Sequence, residues 1–171
     1  PGILDNDALQ RLDIRQTDVA AVTDLEKRAA AIGVRYVRLD GDIAVLSGGA
    51  GLGMATMDMV HLCGGKPSCF IDCGGGITSE ATAEAVRVCL DTPGTKGVMF
   101  NAFGGGNDCG VMARGILAAL PEYPNAKIIA KMRGFSQEIA WEMLEKAQVP
   151  FVSQESTKTA VQRLINSIHG A

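Results

Sequence analysis

The 171-residue sequence has no Cys-x-x-Cys pair, no G-x-x-x-x-G-K-[ST] phosphate loop, no basic cluster and no apolar run of membrane-spanning length. Each absence excludes a class. Without the phosphate loop a Walker-type NTPase is ruled out. A net charge of −3 with no basic cluster argues against a nucleic-acid partner. The lack of a long apolar run argues against a membrane-spanning helix. The five cysteines, Cys63, Cys69, Cys73, Cys89 and Cys109, are odd in number and read as free thiols in a reducing compartment. His61, Cys63, Cys69 and Cys73 fit none of the usual zinc spacings, so no metal site is expected. The two histidines, His61 and His169, fall outside the loops where chemistry is expected, and neither is assigned a catalytic role. No signal-peptide pattern is seen, and the opening Pro1 in place of Met suggests a processed or excised piece.

What is present is ordinary globular composition, 47% hydrophobic and 20% charged, in a length suited to one domain. Short apolar runs alternate with helical periodicity from Asp42 onward. The segments 42–48, 68–73, 97–103, 126–132 and 150–153 read as strands, bounded by Gly, Pro or Asn. Their near-continuous apolarity suits strands covered on both faces. The helices between them carry i, i+3/i+4 stripes, such as Ile139, Ala140, Met143, Leu144 and Ala147, and then Ala160, Val161, Leu164, Ile165 and Ile168. Thr78 or Ser79, Ser136 and Ser156 are the expected caps. Five β-α units in a row predict an α/β fold, a flavodoxin-like, doubly wound parallel sheet of five strands in the order 2-1-3-4-5. Upstream, 1–17 is polar and aperiodic and reads as an arm. Residues 22–32 read as a helix, and 35–39 as an extra strand forming a hairpin through Asp40-Gly41.

Three of the turns that follow strands are glycine-rich: Gly48-Gly49-Ala50-Gly51-Leu52-Gly53, Gly74-Gly75-Gly76 and Gly104-Gly105-Gly106-Asn107. In this fold the binding edge lies at the carboxyl ends of the strands, at the point where strand order reverses. The first and third turns flank that point. A glycine turn feeding a helix exposes unpaired N–H groups at the helix's positive end, an anion site made of backbone. A dinucleotide fold is the nearest alternative, with Asp72 as a ribose acid, but Gly49-x-Gly51-x-Gly53 departs from G-x-G-x-x-G. Asn101 either orients the third turn or is a satisfied core amide. Asp58 is placed on the wet side of its helix, and Met54, Met57 and Met59 read as packing. Cys109 opens a helix, where the dipole would lower its thiol pKa.

At these turns the sequence resembles the succinyl-CoA synthetase β chain. Gly49-Ala50-Gly51-Leu52, Met54 and Thr56-Met57-Asp58 match that family's NGAGLAMGTMD. Residues 70–76 match FLDVGGG, Asn101-Ala102-Phe103-Gly104-Gly105 match VNIFGGIV, residues 36–41 match YVALDGNI, and Asn6–Arg11 is similar to the stretch after the family's nucleotide domain. Three departures stand out. Gly48 replaces an Asn that is a substrate contact in the family. Asp108 stands in a third turn that reads Gly-Gly-Gly-Asn-Asp where the family has Gly-Gly-Ile-Val-Arg. Lys131-Met132-Arg133-Gly134-Phe135-Ser136 replaces RLEGTN and so exchanges an acid for a base.

The resemblance implies a part of an enzyme that joins a carboxylic acid to coenzyme A with ATP or GTP and Mg²⁺, through a phosphohistidine on a partner α chain. By that likeness 1–34 is a linker, arm and helix from the end of an ATP-grasp region, and 35–171 is the CoA-ligase domain. A power helix starts at the third turn. The substrate- or phosphate-binding residues are then Gly48, Gly49, Gly104, Gly105, Gly106 and Asn107, with no catalytic side chain and no metal ligand of this chain's own. CoA, nucleotide and Mg²⁺ belong to the full enzyme, and none is expected on this chain alone. The implied partners are an α chain, an upstream ATP-grasp domain and a small carboxylate, with no nucleic acid and no membrane. The implied compartment is the cytoplasm, or the mitochondrial matrix in a eukaryote. Alternatives are a paralogue acting on malate, citrate or another carboxylate, a noncatalytic partner-docking module, and an independent binder of flavodoxin type.

Overall fold

The computed structural model describes residues 23–170, so the polar arm at 1–17 lies outside the described residues. The first helix among the described residues, α1 (Asp24–Ala31), opens on a capping box. Thr23 Oγ1 accepts from the Glu26 N–H, and the Glu26 carboxylate accepts from the Thr23 N–H. The chain continues through β1 (Arg35–Arg38), β2 (Ile43–Ser47), α2 (Ala50–Leu62), β3 (Pro67–Asp72), α3 (Ser79–Asp91), β4 (Gly97–Gly104), α4 (Cys109–Ala119), a 3₁₀ turn (Leu120–Glu122), β5 (Lys127–Gly134), α5 (Gln137–Lys146), β6 (Phe151–Val152) and α6 (Thr157–His169). Arg28 ties α1 to α3 with ion pairs of 2.7 Å to both Glu84 and Asp91.

The sheet order is β1-β3-β2-β4-β5-β6. From β2 onward every neighbouring pair is parallel, and counting those five strands in chain order gives 2-1-3-4-5, as the sequence predicts. The added strand differs from the expectation. β1 does not form a hairpin with β2 but pairs antiparallel with β3, from Arg35 opposite Asp72 to Arg38 opposite Cys69. β2 already has β3 and β4 on its two sides and offers no free edge. Asp40-Gly41 instead carries the chain across the amino end of β3. There the N–H groups of Asp42 and Ile43 donate to the Lys66 carbonyl at 2.9 and 3.1 Å. Gly41 is pressed so close that a Cβ would sit 2.0 Å from that carbonyl oxygen, so the glycine serves a crossing rather than a hairpin turn.

Helices α1, α3, α4 and α5 cover one face of the sheet, and α2 and α6 the other. β2 is buried at all five positions, which is why it reads as unbroken apolar sequence. Alternation sends Val98, Phe100 and Ala102 of β4 to the four-helix face, and Met99, Asn101 and Phe103 to the two-helix face. In β5, Ile128, Ala130 and Met132 face the four-helix side, and Ile129, Lys131 and Arg133 the other.

Thr78 and Ser156 cap α3 and α6, accepting from the N–H groups of Ala81 and Thr159, both at 3.1 Å. Ser136 does not cap α5. Its φ of 58° turns the backbone left-handed, and its hydroxyl makes no capping bond. The turn is closed by the next residue, Gln137, whose Oε1 accepts from the Gly134 N–H at 2.7 Å.

Candidate functional site

The reversal of strand order falls between β2 and β4, and the three glycine turns meet at the carboxyl edge there. The second and third are stitched together. Gly76 N–H donates to the Gly106 carbonyl at 2.8 Å. The Asn107 amide, 5% exposed, accepts from Ile77 N–H at 3.1 Å and donates to the Gly74 carbonyl at 2.7 Å. The Asn107 side chain is therefore a clasp between turns. It also explains Gly48, because a Cβ there would lie 3.1 Å from Asn107 Nδ2 and 3.6 Å from Ala102 Cβ. The volume beside Gly48 is already filled by an amide from the third turn.

The first turn enters α2 with its donors open. Gly49 is the N-cap, at a φ of 130° that favours glycine, and no side chain caps the helix. The first bonded donor is Gly53 N–H, to the Gly49 carbonyl at 3.0 Å. The N–H groups of Ala50, Gly51 and Leu52 precede it with no partner among the described residues. Gly53 itself is a packing residue, because a Cβ there would meet the Phe70 ring at 2.2 Å.

The third turn enters α4 differently. The Asp108 carboxylate accepts from Gly110 N–H at 2.7 Å and Val111 N–H at 3.3 Å, so the helix end is capped by a negative charge from within. The N–H groups of Gly105, Gly106 and Asn107 lie before that cap, without a partner among the described residues. Gly104 is buried under the turn after β5. Phe135 N–H donates to its carbonyl at 3.0 Å, and Cys109 N–H donates to the Phe135 carbonyl at 3.1 Å. Cys109 does not follow the dipole argument. Its thiol is pushed up, first by burial and further by the neighbouring Asp108 charge, so it is not an activated nucleophile.

Asn101 is the satisfied core amide, 3% exposed, with Nδ2 donating to Thr56 Oγ1 of α2 at 2.8 Å. Asp72 accepts from the Gly74 N–H at 2.9 Å and so closes the second turn. Asp58 is exposed, and Met57 and Met59 pack against the two-helix core, whereas Met54 does not pack and is 57% exposed. Cys73 is pushed up to about 12 by burial and the Asp72 charge, and all five cysteines are free. Among the described residues no group of three His, Cys, Asp or Glu is placed to hold a metal ion, and no helix is long and apolar enough to cross a membrane.

One feature of the edge was not assigned a role from sequence. Lys131 and Arg133 stand side by side on the two-helix face, paired across the sheet with Asn101 and Phe103. Burial, and then Arg133, hold the Lys131 ammonium below its usual range. The signal was two charges at alternate positions of an otherwise apolar strand.

A family model described as CoA-ligase matches residues 46–165, which include all three glycine turns. The succinate–CoA ligase [ADP-forming] subunit beta of Burkholderia mallei is 35% identical, over 91% of this chain and 42% of that protein. The same figures hold for the subunit of that name from Burkholderia thailandensis. The chain thus spans about two fifths of the length of these relatives. Among solved structures, a Pyrococcus horikoshii OT3 protein superposes with a TM-score of 0.65 at 19% identity, over 95% of this chain and 42% of that one. The dinucleotide-forming acetyl-coenzyme A synthetase 1 of Ca. Korarchaeum cryptofilum, in its apo form, gives 0.63 at 14% identity, over 95% and 40%. These likenesses agree with the layered α/β architecture. With its matched region covering more than half of the sequence, the chain belongs to the CoA-ligase family.

Proposed function

We propose that the chain acts as the carboxy-terminal CoA-ligase domain of a β-type chain in a nucleotide-dependent acid–thiol ligase. In that reaction a carboxylic acid, CoA and ATP or GTP give an acyl-CoA, the nucleoside diphosphate and phosphate. A histidine of an α-type partner carries the phosphoryl group between them. The carrying observation is the carboxyl edge itself, with open N–H groups at the start of α2 facing the same strand reversal as those of Gly105, Gly106 and Asn107. Gly48, Gly49, Gly105, Gly106 and Asn107 then shape the substrate- and phosphate-binding surface, mostly through backbone, while Gly104 lies buried beneath the third turn and supports it. Preorganised backbone donors stabilise a phosphoryl group or carboxylate without covalent chemistry of their own. Nucleotide and Mg²⁺ are assigned to an ATP-grasp region preceding residue 35, and the complex to a reducing compartment, the cytoplasm or the mitochondrial matrix.

Two observations favour an acid other than succinate within the same reading. Gly48 presents no side chain where the family has Asn, and Arg133 brings a base where the family pattern has an acid. Reconstitution tests the proposal. The purified chain is expected to form no thioester from succinate, malate or citrate with CoA and ATP. Turnover should appear when an α-type chain and an ATP-grasp segment are supplied together. Thioester formation by the chain alone would overturn the divided site.

A further inference from the structure

The two-helix face of the sheet ends in a lateral row of polar side chains. Ser47 of β2, Asn101 of β4 and Lys131 of β5 are register partners in sequence across three strands. One step further toward the carboxyl edge, Phe103 stands beside Arg133. Ser47 is satisfied by the Gly49 carbonyl and Asn101 Nδ2 by Thr56, so the row is neutral until it reaches β5. There two cations stand two residues apart, both half-buried.

Arg133 is incompletely matched. One terminal nitrogen donates to the Ser153 carbonyl at 3.3 Å, yet Nε is buried and has no hydrogen-bond partner among the described residues. A buried guanidinium N–H without an acceptor is costly and calls for one. Lys131 makes no ion pair among the described residues. Glu155 is an acid whose charge acts on it. That carboxylate is already engaged by Arg163 at 3.0 Å and by the Gln154 N–H at 3.2 Å. Two helices direct positive ends toward the same edge of this face: α2, bare at Gly49, and α6, capped by the neutral Ser156 hydroxyl. Phe103, 65% exposed, adds an apolar wall beside the guanidinium.

We propose that Lys131 and Arg133 form an oxyanion subsite on this face of the carboxyl edge, where a carboxylate or phosphate group accepts from the Arg133 guanidinium and is neutralised by Lys131. The inference rests on the ligase reading and deepens it, since a second anionic group on the substrate would be held here, beyond the one taken by the backbone donors. A planar guanidinium is suited to such a group because its fork matches two oxygens.

The test uses the full 171-residue chain, ¹⁵N-labelled, titrated with inorganic phosphate, acetate and succinate while the Arg133 Nε–H resonance is followed and, in wild type and every variant alike, the backbone amide resonances of Gly134 and Ser153. Phosphate or succinate is expected to move these resonances saturably, and the tighter of the two names the source of the oxyanion. Arg133→Gln should weaken binding by about tenfold or more. Arg133→Lys, which keeps the charge but loses the fork, should fall between. Lys127→Gln removes the same charge at the opposite end of β5 and should leave affinity unchanged. No saturable shift with any of the three anions would overturn the subsite. So would equal affinity in wild type and both Arg133 variants, once melting curves show that Arg133→Lys is folded. Either result would leave the ligase proposal intact, because that proposal is read from thioester formation in the reconstituted complex.

Discussion

Helices α2 and α4 both begin in glycine-rich turns on either side of the strand reversal, yet the amino ends they present are capped differently. α2 starts at Gly49 with three open N–H groups and no acid in its first turn. α4 starts at Asp108, whose carboxylate occupies its leading donors. Two turns that look alike in composition therefore differ in what they offer an anion. The glycines make close approach possible, and the residue at the N-cap decides whether the helix end is still available. The supports also differ. The α2 entrance is open around Gly49, where an added Cβ would meet nothing within 4 Å. The α4 entrance is braced from behind by the turn after β5 and from the side by Asn107.

The largest effect should come from breaking that brace. Gly134 has a φ of 103°, and a Cβ there would lie 2.1 Å from the Gly104 carbonyl oxygen. Gly134→Ala is expected to lose about 3 kcal/mol of stability in urea denaturation, from backbone strain and a collision with backbone together. Gly49→Ala has only the strain and should lose about 1–2 kcal/mol. Equal losses would mean that the two entrances are not braced differently.

A double-mutant cycle sharpens the link between the first and third turns. Gly48→Asn alone forces a side chain against Asn107, and Asn107→Val alone strands the Ile77 N–H, at about 1–3 kcal/mol. The pair together resembles the family pattern, with the amide moved from the third turn to the first. The double variant should be more stable than the sum of the singles by about 1 kcal/mol. Additive losses would show that Asn107 does not occupy the place of a side chain at Gly48.

Much of the sheet was legible because parallel strands covered on both faces leave an apolar trace with glycine at their ends, as β2 and β4 do. The partner of β1 was not, since Asp40-Gly41 has hairpin composition whether it turns back or crosses under β3. The failed cap at Ser136 has a similar origin, because residue type alone does not report the left-handed φ of 58°. In the site, the glycine turns could be found, but not their separate reasons. Gly53 makes room for Phe70, Gly48 for Asn107, and Gly49 serves a backbone angle. Cys109 was misread because its position in the helix was visible while its burial was not. Arg133 needed the fold as well, since an orphaned Nε is a property of its surroundings, among them Phe103 of β4 and the Ser153 carbonyl after β6.

The smallest expected effects come from exchanging the charge at the two helix entrances. Asp108→Ala removes the cap of α4, leaving Gly110 and Val111 N–H groups open, and should lower stability by about 1 kcal/mol. Ala50→Asp places an acid in the first turn of α2, where Ala50 is exposed, and should raise stability by about 0.5 kcal/mol through the helix dipole. The two changes act oppositely on anions as well. Without the Asp108 carboxylate, the α4 end gains a positive field, so phosphate should bind the carboxyl edge more tightly than in wild type. With an acid at residue 50, the bare α2 end is neutralised, so phosphate should bind less tightly. Each shift should be a few-fold at low ionic strength and shrink as salt is added, because both groups lie near solvent. Calorimetric titration of phosphate into the three proteins at two salt concentrations reads both signs at once. If Asp108→Ala leaves phosphate affinity unchanged while Ala50→Asp lowers it, the anion is held by α2 alone. A response to Asp108→Ala only would place it at α4. Opposite shifts in the two variants are the outcome expected if both helix entrances act on one bound anion.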